Sequence, residues 1–254
     1  MTEDAGNTNH GSHGLRTVFL QHRFAVLLCA LAVLLVGAPL VQMFRPGTHP
    51  KLADVVIPLL FTVVLLSAVS AVSRTRTTEI IALLLAAPAA VFQGLQTWFA
   101  TDGFAIASHI LGILFLAYAI VLILKFLFVS HRVSSDMICA SLCVYLLLGV
   151  LCALAYSLFH YLDPTSFVFA LAEDGGAEVM QFGGERTFVA IYYSFVTMST
   201  LGYGDIVPTS SLARTCAALQ AVVGQLYLAV LVARLVGLHI AHSSATSARG
   251  PDAG

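Results

Sequence analysis

Charged residues are scarce in this chain of 254 residues. Only 10% are Asp, Glu, Lys or Arg, and the formal net charge is −1. Soluble globular domains carry about 25% charged residues, and a nucleic-acid-binding surface needs a cluster of basic ones. The shortage of charge therefore excludes a soluble globular domain, a disordered chain and a nucleic-acid partner.

Cysteine is also sparse, and its placement does not indicate a metal-binding or redox role. The five cysteines all fall inside apolar runs, and no pair has the spacing and polar surroundings of a zinc or redox motif. We expect them to pack as small apolar side chains, and we expect no metal site and no cofactor. These residues are Cys29, Cys139, Cys143, Cys152 and Cys216.

Apolar residues are abundant instead. They make up 59% of the chain, and the mean hydropathy is +0.92. A bilayer core about 30 Å thick needs roughly 20 mostly apolar residues per helix, and such stretches occur six times. The sequence thus predicts an all-α membrane protein with six transmembrane helices. The stretches are Phe24–Phe44, Val55–Ser73, Ile80–Thr101, Gly103–Leu124, Met137–Leu162 and Leu212–Ile240.

The first stretch has an alternative interpretation. Arg16 and Arg23 precede the apolar run, as basic residues do in a signal peptide. The run is long for that role, and Pro39 directly follows the one small-residue pair available for cleavage, Gly37-Ala38. We therefore favour a retained span.

Basic residues predict the orientation of the spans. With the N-terminus inside, eight of the 12 Lys and Arg residues lie on the cytoplasmic side and four lie outside. The prediction is a multi-pass protein of the cell membrane with both termini in the cytoplasm.

One uncharged segment between the fifth and sixth spans is too polar at its end to face lipid. It begins at Thr187 and ends in the loop Thr200–Gly204, Thr-Leu-Gly-Tyr-Gly, which Asp205 follows. Backbone carbonyls can replace the water around a cation if successive peptides all turn them toward one axis. This arrangement requires a backbone of alternating handedness, which glycine adopts at no steric cost. We therefore predict a re-entrant pore helix from Thr187 to about Met198 and a selectivity-filter loop after it.

This loop, followed by Asp and flanked by two spans, resembles the potassium channel pore family, with Leu201 where valine is usual. The resemblance covers residues 137–242 and is to bacterial-type channels with six spans and one pore loop that lack a charged voltage-sensor helix. We expect four parts of the chain, because the two ends are short and polar and the pore segment is preceded by four apolar stretches. They are a disordered cytoplasmic N-terminus (1–23), a four-helix membrane domain (24–132), a pore domain (133–242) and a disordered cytoplasmic tail (243–254).

The resemblance implies a potassium-selective homotetramer embedded in lipid, with no enzymatic activity. Each copy supplies a quarter of each oxygen ring. K⁺, the permeant ion, is then bound at Thr200, Leu201, Gly202 and Tyr203, and Gly204 completes the filter.

Supporting roles follow from the same resemblance. Tyr192 and Tyr193 stand where the family has an aromatic pair bracing the filter, so we expect one of their hydroxyls to reach Tyr203. Some bacterial members carry a carboxylate where this chain has Val196, so inactivation that depends on that acid is not expected. The other assignments are filter support by Ser199 and Asp205, an inner-helix hinge at Gly224, and cavity lining by Gln225, Leu228 and Val232.

The gating stimulus is not evident from the sequence. A voltage-sensor helix carries arginines along its length, whereas the fourth stretch, Gly103–Leu124, carries no basic Lys or Arg. We therefore expect weak voltage dependence. His239 and His242 lie at the inner end of the sixth span, where they are either proton sensors or ordinary interfacial histidines.

Two other functions remain open at this point. A weakly selective cation channel shares the architecture, although such channels usually lose the Tyr-Gly pair that this chain keeps. The Gly-Tyr-Gly-Asp run also fits the pattern of aspartyl intramembrane proteases. That chemistry needs a second carboxylate, expected in a Tyr-Asp pair that is absent from the chain.

Overall fold

The structure is a computed structural model, and it describes residues 23–43, 51–72, 75–99, 101–129, 134–169, 178–179 and 187–247. Helices dominate these ranges. In chain order the elements are α1 (Arg23–Met43), α2 (Lys51–Val72), α3 (Arg76–Phe99), α4 (Asp102–Val129), α5 (Ser135–Leu162), a 3₁₀ turn (Pro164–Ser166), β1 (Phe167–Phe169), β2 (Glu178–Val179), α6 (Thr187–Met198), β3 (Ile206–Pro208) and α7 (Ser211–Ser247).

The six predicted apolar stretches fall on α1 to α5 and α7. Among the described residues, four helices are long and apolar enough to cross a membrane, judged by length and composition alone. Shorter apolar stretches occur within α1 and α2, at Arg23–Gly37 and Pro58–Val72. The four long segments are Arg76–Gln96, Asp102–Val129, Ser135–Leu162 and Ser211–Gly237.

Local chemistry sets the ends of α5. The side chain of Ser134 caps its start by accepting a hydrogen bond from the Met137 N–H at 3.2 Å. The helix ends before Asp163-Pro164, since proline disfavours helical geometry in the residue before it.

Asp163 also holds the turn that follows α5. The Thr165 hydroxyl and N–H both donate to Asp163 Oδ1, at 2.7 and 3.0 Å. These bonds lower the pKa of Asp163 below its ordinary value. The turn should therefore weaken as acid protonates this carboxylate.

Two buried apolar clusters organise the described helices. The larger joins α1 to α5 and includes Leu31, Leu65, Phe115 and Leu147. The smaller joins the second half of α5 to β1, α6, β3 and the start of α7, and Tyr156 contributes a large buried side chain to it. Because α5 belongs to both clusters, it connects the four N-terminal helices to the segment that contains the predicted pore loop.

The all-α prediction missed a small sheet. Within the described residues, β1 pairs antiparallel with both β2 and β3, in the order β2-β1-β3. Val168 lies opposite Val179 on one side and Val207 on the other. The strands form from Phe-Val-Phe and Ile-Val-Pro runs, whose aromatic and β-branched residues favour extended backbone. These runs are too short to be recognised in a chain dominated by apolar spans.

The predicted termini are only partly described. α7 continues to Ser247, so residues 243–247 are helical where a disordered tail was predicted. Residues 1–22 and 248–254 of the predicted disordered segments lie outside the described residues.

Candidate functional site

A helix, α6, forms over the segment that was predicted to be the pore helix, and much of its surface is buried in the single chain. Ala190 and Ser194 are fully buried and Met198 nearly so, and their spacing of four residues places them along one face. Ile191 and Tyr193 are also buried, on other faces. At 12 residues, α6 is too short to cross a bilayer, and it packs against α5 and α7 instead.

The chain turns back on the end of α6. The N–H groups of Leu201 and Gly202 both donate to the Val196 carbonyl, at 3.0 and 3.3 Å, and the Thr200 N–H donates to the Thr197 carbonyl at 3.0 Å. In a trans peptide the carbonyl points opposite to the N–H of the next residue, and no described peptide bond is cis. The carbonyls of Thr200 and Leu201 therefore both face away from α6.

The handedness of the backbone alternates along this loop. Thr200, Gly202 and Gly204 have φ of +58°, +53° and +77°, and among the described residues these are the positive values. Leu201 and Tyr203 lie between them with negative φ. The left-handed conformation of the two glycines is the one that a carbonyl-lined loop requires of them. For Thr200 it was not anticipated, because a residue with a Cβ loses roughly 1–2 kcal/mol there.

The loop is exposed in the single chain although both of its flanks are buried. Leu201 and Tyr203 are 55% and 66% exposed, whereas Met198 before them and Ile206 after them are 1% and 6% exposed. Irregular backbone at membrane depth is tolerated only where protein covers it or where it lines water. At the membrane depth predicted from the sequence, the exposed side of this loop needs either further protein or an aqueous pore.

Hydroxyl groups brace the two ends of the loop. The Ser199 hydroxyl donates to the Phe195 carbonyl at 2.7 Å, which fastens the start of the loop to α6. The Tyr192 hydroxyl donates to Asp205 Oδ2 at 2.8 Å, which fastens the end. The expected hydrogen bond from Tyr192 or Tyr193 to Tyr203 stays a prediction. In the single chain, Tyr193 instead packs edge-on against Phe167, with ring centroids 5.2 Å apart.

The sheet ties the end of the loop to the end of α5. β3 begins directly after Asp205 and pairs with β1, which follows the 3₁₀ turn. The Thr209 N–H donates to the Ser166 carbonyl at 2.9 Å, and the Thr209 hydroxyl donates to the Thr165 carbonyl. Arg214 Nε donates to the Pro208 carbonyl at 3.0 Å. The loop is thus held at both ends, by α6 and by β3.

The structure explains why position 224 is a glycine, which the sequence alone did not reveal. A Cβ on this residue would lie 2.7 Å from the Met198 carbonyl oxygen and 2.6 Å from Met198 Cγ. α7 is one continuous helix through this point. Glycine is therefore required by the close approach of α7 to the end of α6, and the predicted hinge motion stays a prediction.

The predicted cavity residues follow Gly224 on α7. Gln225 is exposed, Leu228 is half-buried and Val232 is 58% exposed in the single chain. These burial classes do not assign the side chains to a cavity, which stays a prediction for the assembled protein.

Farther along α7, the guanidinium carbon of Arg234 lies 5.1 Å from the centre of the Phe128 ring at the end of α4. This cation–π contact joins the second half of α7 to the four N-terminal helices. The side chains of His239 and His242 lie outside the described residues.

Sequence reasoning missed a buried hydrogen-bond network behind α6. The Tyr156 hydroxyl donates to Gln220 Oε1 at 2.5 Å, and Gln220 Nε2 donates to Ser194 Oγ at 2.7 Å. The Ser194 hydroxyl donates to the Gly149 carbonyl at 2.6 Å. A glutamine inside an apolar span was the available signal, because a buried amide is costly unless it is hydrogen-bonded.

In the described part of the chain, no group of three or more His, Cys, Asp or Glu residues is placed to hold a metal ion.

Comparison with known proteins identifies the segment that contains the loop. Residues 142–239 match a family model described as ion channel. No curated protein and no solved structure matches the chain. The matched range begins in α5 and includes α6, the loop and most of α7. The resemblance to the potassium channel pore family is thereby confirmed. Residues 142–239 are similar to an ion channel domain, in a chain whose described part has four helices long and apolar enough to cross a membrane.

Proposed function

We propose that four copies of the chain form a potassium-selective channel whose filter is the loop Thr200–Gly204. The observation that carries the proposal is the alternating backbone handedness at Thr200, Gly202 and Gly204. Together with the carbonyls of Thr200 and Leu201 facing away from α6, it favours stacked rings of oxygen atoms around a common axis. Such rings replace the water that K⁺ loses on entering a narrow pore.

A closed cyclic assembly supports the oxygen rings. One loop supplies only one oxygen to each level, so identical copies related by a rotation axis are needed to surround an ion. The exposure of Leu201 and Tyr203 in the single chain favours the same arrangement, because neighbouring copies then cover these side chains.

The electrostatics of α6 favour a cation at the loop. The C-terminal end of a helix carries a partial negative charge, and α6 ends at Met198, directly before the loop. Asp205 at the other end adds a carboxylate.

In the proposed arrangement α1 to α5 and α7 all cross the cell membrane, α6 re-enters it, and both termini are cytoplasmic.

Ion selectivity tests the proposal directly. In liposomes containing the purified protein, we expect a reversal potential that follows the K⁺ gradient by about 59 mV per tenfold change and ignores a Na⁺ gradient. Barium should block the flux. A reversal potential midway between the K⁺ and Na⁺ values would instead identify the alternative, a weakly selective cation channel of the same architecture.

The protease alternative receives no support from the geometry. Within the described residues, the Tyr192 hydroxyl is the hydrogen-bond partner of the Asp205 carboxylate. Aspartyl chemistry needs a second carboxylate that shares a proton with the first. The proposed function involves passive conduction and no chemical turnover.

Voltage dependence should be weak. Lys125, near the end of α4, is the only Lys or Arg in that helix. Moving one charge across the membrane yields about 2.3 kcal/mol per 100 mV, so a steep response needs several charges along the helix. We expect the steady-state open probability to change little across a wide voltage range. A Boltzmann slope equivalent to several gating charges would contradict this prediction.

Loss of the Tyr192 hydroxyl should destabilise the conducting loop. The Tyr192→Phe variant keeps the ring but loses the 2.8 Å hydrogen bond to Asp205. A bond to a charged group is worth about 1.5–3 kcal/mol. The open channel should therefore close at least about tenfold faster in single-channel records. Tyr118→Phe, on α4, is the matched control and should behave as the wild type. Equal lifetimes in Tyr192→Phe and the wild type would show that Asp205 needs no such brace.

A further inference from the structure

A chain of side-chain hydrogen bonds joins three helices behind the loop. It runs from Tyr156 on α5 through Gln220 on α7 to Ser194 on α6, with successive distances of 2.5 and 2.7 Å. Ser194 returns the chain to α5 by donating to the Gly149 carbonyl at 2.6 Å. Gln220 is the central member because its amide contacts both of the other helices.

The network is isolated from solvent and from lipid. Tyr156, Ser194 and Gln220 are 1%, 0% and 5% exposed. Gln220 Nε2 also donates to the Ser194 backbone carbonyl at 3.1 Å, so its oxygen and its amino group are both engaged. Hydrogen bonds are strong in such surroundings, and an unpaired member is costly. The helices therefore have one favoured register at this level.

The contact between α7 and α6 continues for one more helical turn toward the loop. Gln220 contacts Ser194, and four residues farther along each helix Gly224 contacts Met198. Residues four apart lie on the same helix face, so α7 runs along α6 from Ser194 to Met198. Met198 is the last residue of α6. A shift of α7 at Gln220 therefore displaces the base of the loop.

The network also reaches the far end of the loop. The Tyr156 ring packs edge-on against Tyr193 at 5.0 Å and against Phe167 at 5.6 Å between centroids. Phe167 is the first residue of β1, and its backbone pairs with Pro208 of β3. Tyr156 thus connects Gln220 to the strand that follows Asp205.

We propose that Gln220 is a positioning residue for ion selectivity. Its amide holds α6, and through α6 the filter, in one register with α5 and α7. This inference rests on the proposed potassium-selective function. It assigns Gln220 no contact with the ion, because the residue acts through Ser194 and Tyr156.

The test compares Gln220→Met with Tyr156→Phe in liposomes. Methionine keeps the length of the side chain but removes both hydrogen-bonding groups, and phenylalanine removes one hydroxyl. We expect the Na⁺-to-K⁺ permeability ratio to rise about tenfold in Gln220→Met, because this variant loses all three hydrogen bonds of the amide, one to Tyr156 and two to Ser194. In Tyr156→Phe the ratio should rise by about threefold, because Gln220 keeps its bonds to Ser194. The yield of assembled tetramer is measured alongside, because a purely structural role lowers the yield without changing the ratio of the channels that form.

A matched control and a double variant complete the test. Thr215→Val removes a hydroxyl that donates to the Ser211 carbonyl of α7 itself, on a face that is exposed in the single chain, and should leave the ratio unchanged. The double variant Tyr156→Phe/Gln220→Met should match Gln220→Met alone, because both changes break the same bond.

The two proposals fail in different ways. Wild-type liposomes without potassium selectivity would overturn the proposed function and this inference with it. A selective wild type with equally selective Gln220→Met and Tyr156→Phe variants would overturn the role of Gln220 alone. Additive effects in the double variant would also overturn it.

Discussion

Gly202→Ala abolishes selective potassium conduction, because the new Cβ strains the left-handed backbone of a loop that already carries such strain at Thr200. Gly202 has φ of +53°, where an alanine loses about 1–2 kcal/mol, and four copies lose roughly four times as much. Within the described chain, nothing lies within 4 Å of the added Cβ. The effect therefore comes from backbone strain, which rotates the neighbouring peptides and turns their carbonyls from the axis. The reversal potential in liposomes should no longer follow K⁺.

A helical glycine provides the control for this substitution. Gly103 lies in the first turn of α4, and a Cβ there also meets no described atom within 4 Å. Gly103→Ala should keep the wild-type reversal potential. Gly204→Ala should fail as Gly202→Ala does, because its φ is +77°. Wild-type selectivity in either loop variant would refute the assignment of the oxygen rings.

Gly224→Ala displaces α6 and destabilises the assembled protein. The added Cβ would lie 2.7 Å from the Met198 carbonyl oxygen, a backbone atom that cannot rotate aside. Overpacking of this kind costs about 1–3 kcal/mol, and here it acts in each of four copies at the base of the filter. We expect a lower melting temperature for the tetramer, together with loss of potassium flux.

The same variant separates two explanations for a glycine at this position. If Gly224 serves as a hinge alone, alanine changes the gating but leaves the melting temperature intact, and that result would contradict the close-contact account. Gly237→Ala is the control on the same helix, because a Cβ there meets no described atom within 4 Å. It should melt as the wild type does.

The sequence predicts the helices well because one physical requirement dominates them. A bilayer demands about 20 apolar residues per crossing, and Met137–Leu162 and Leu212–Ile240 were located by that length alone. The ends of α6 were likewise predicted, at Thr187 and Met198. The left-handed glycines followed from the geometry that a carbonyl-lined loop must have.

The parts that the sequence did not predict depend on contacts between distant residues. The pairing of β1 with β3 joins Val168 to Val207, which the intervening loop and α6 separate along the chain. The left-handed backbone of Thr200 could not be predicted from the sequence, because threonine usually avoids this conformation. The role of Gln220 depends on its two partners, Tyr156 and Ser194, which lie on other helices.

Determining the structure of the assembled protein in K⁺ tests the central claim most directly. We predict a fourfold axis through Thr200–Gly204, with ion density on that axis at the level of the backbone carbonyls. An assembly whose axis passes elsewhere, or one in which these carbonyls face lipid or protein, would contradict the account.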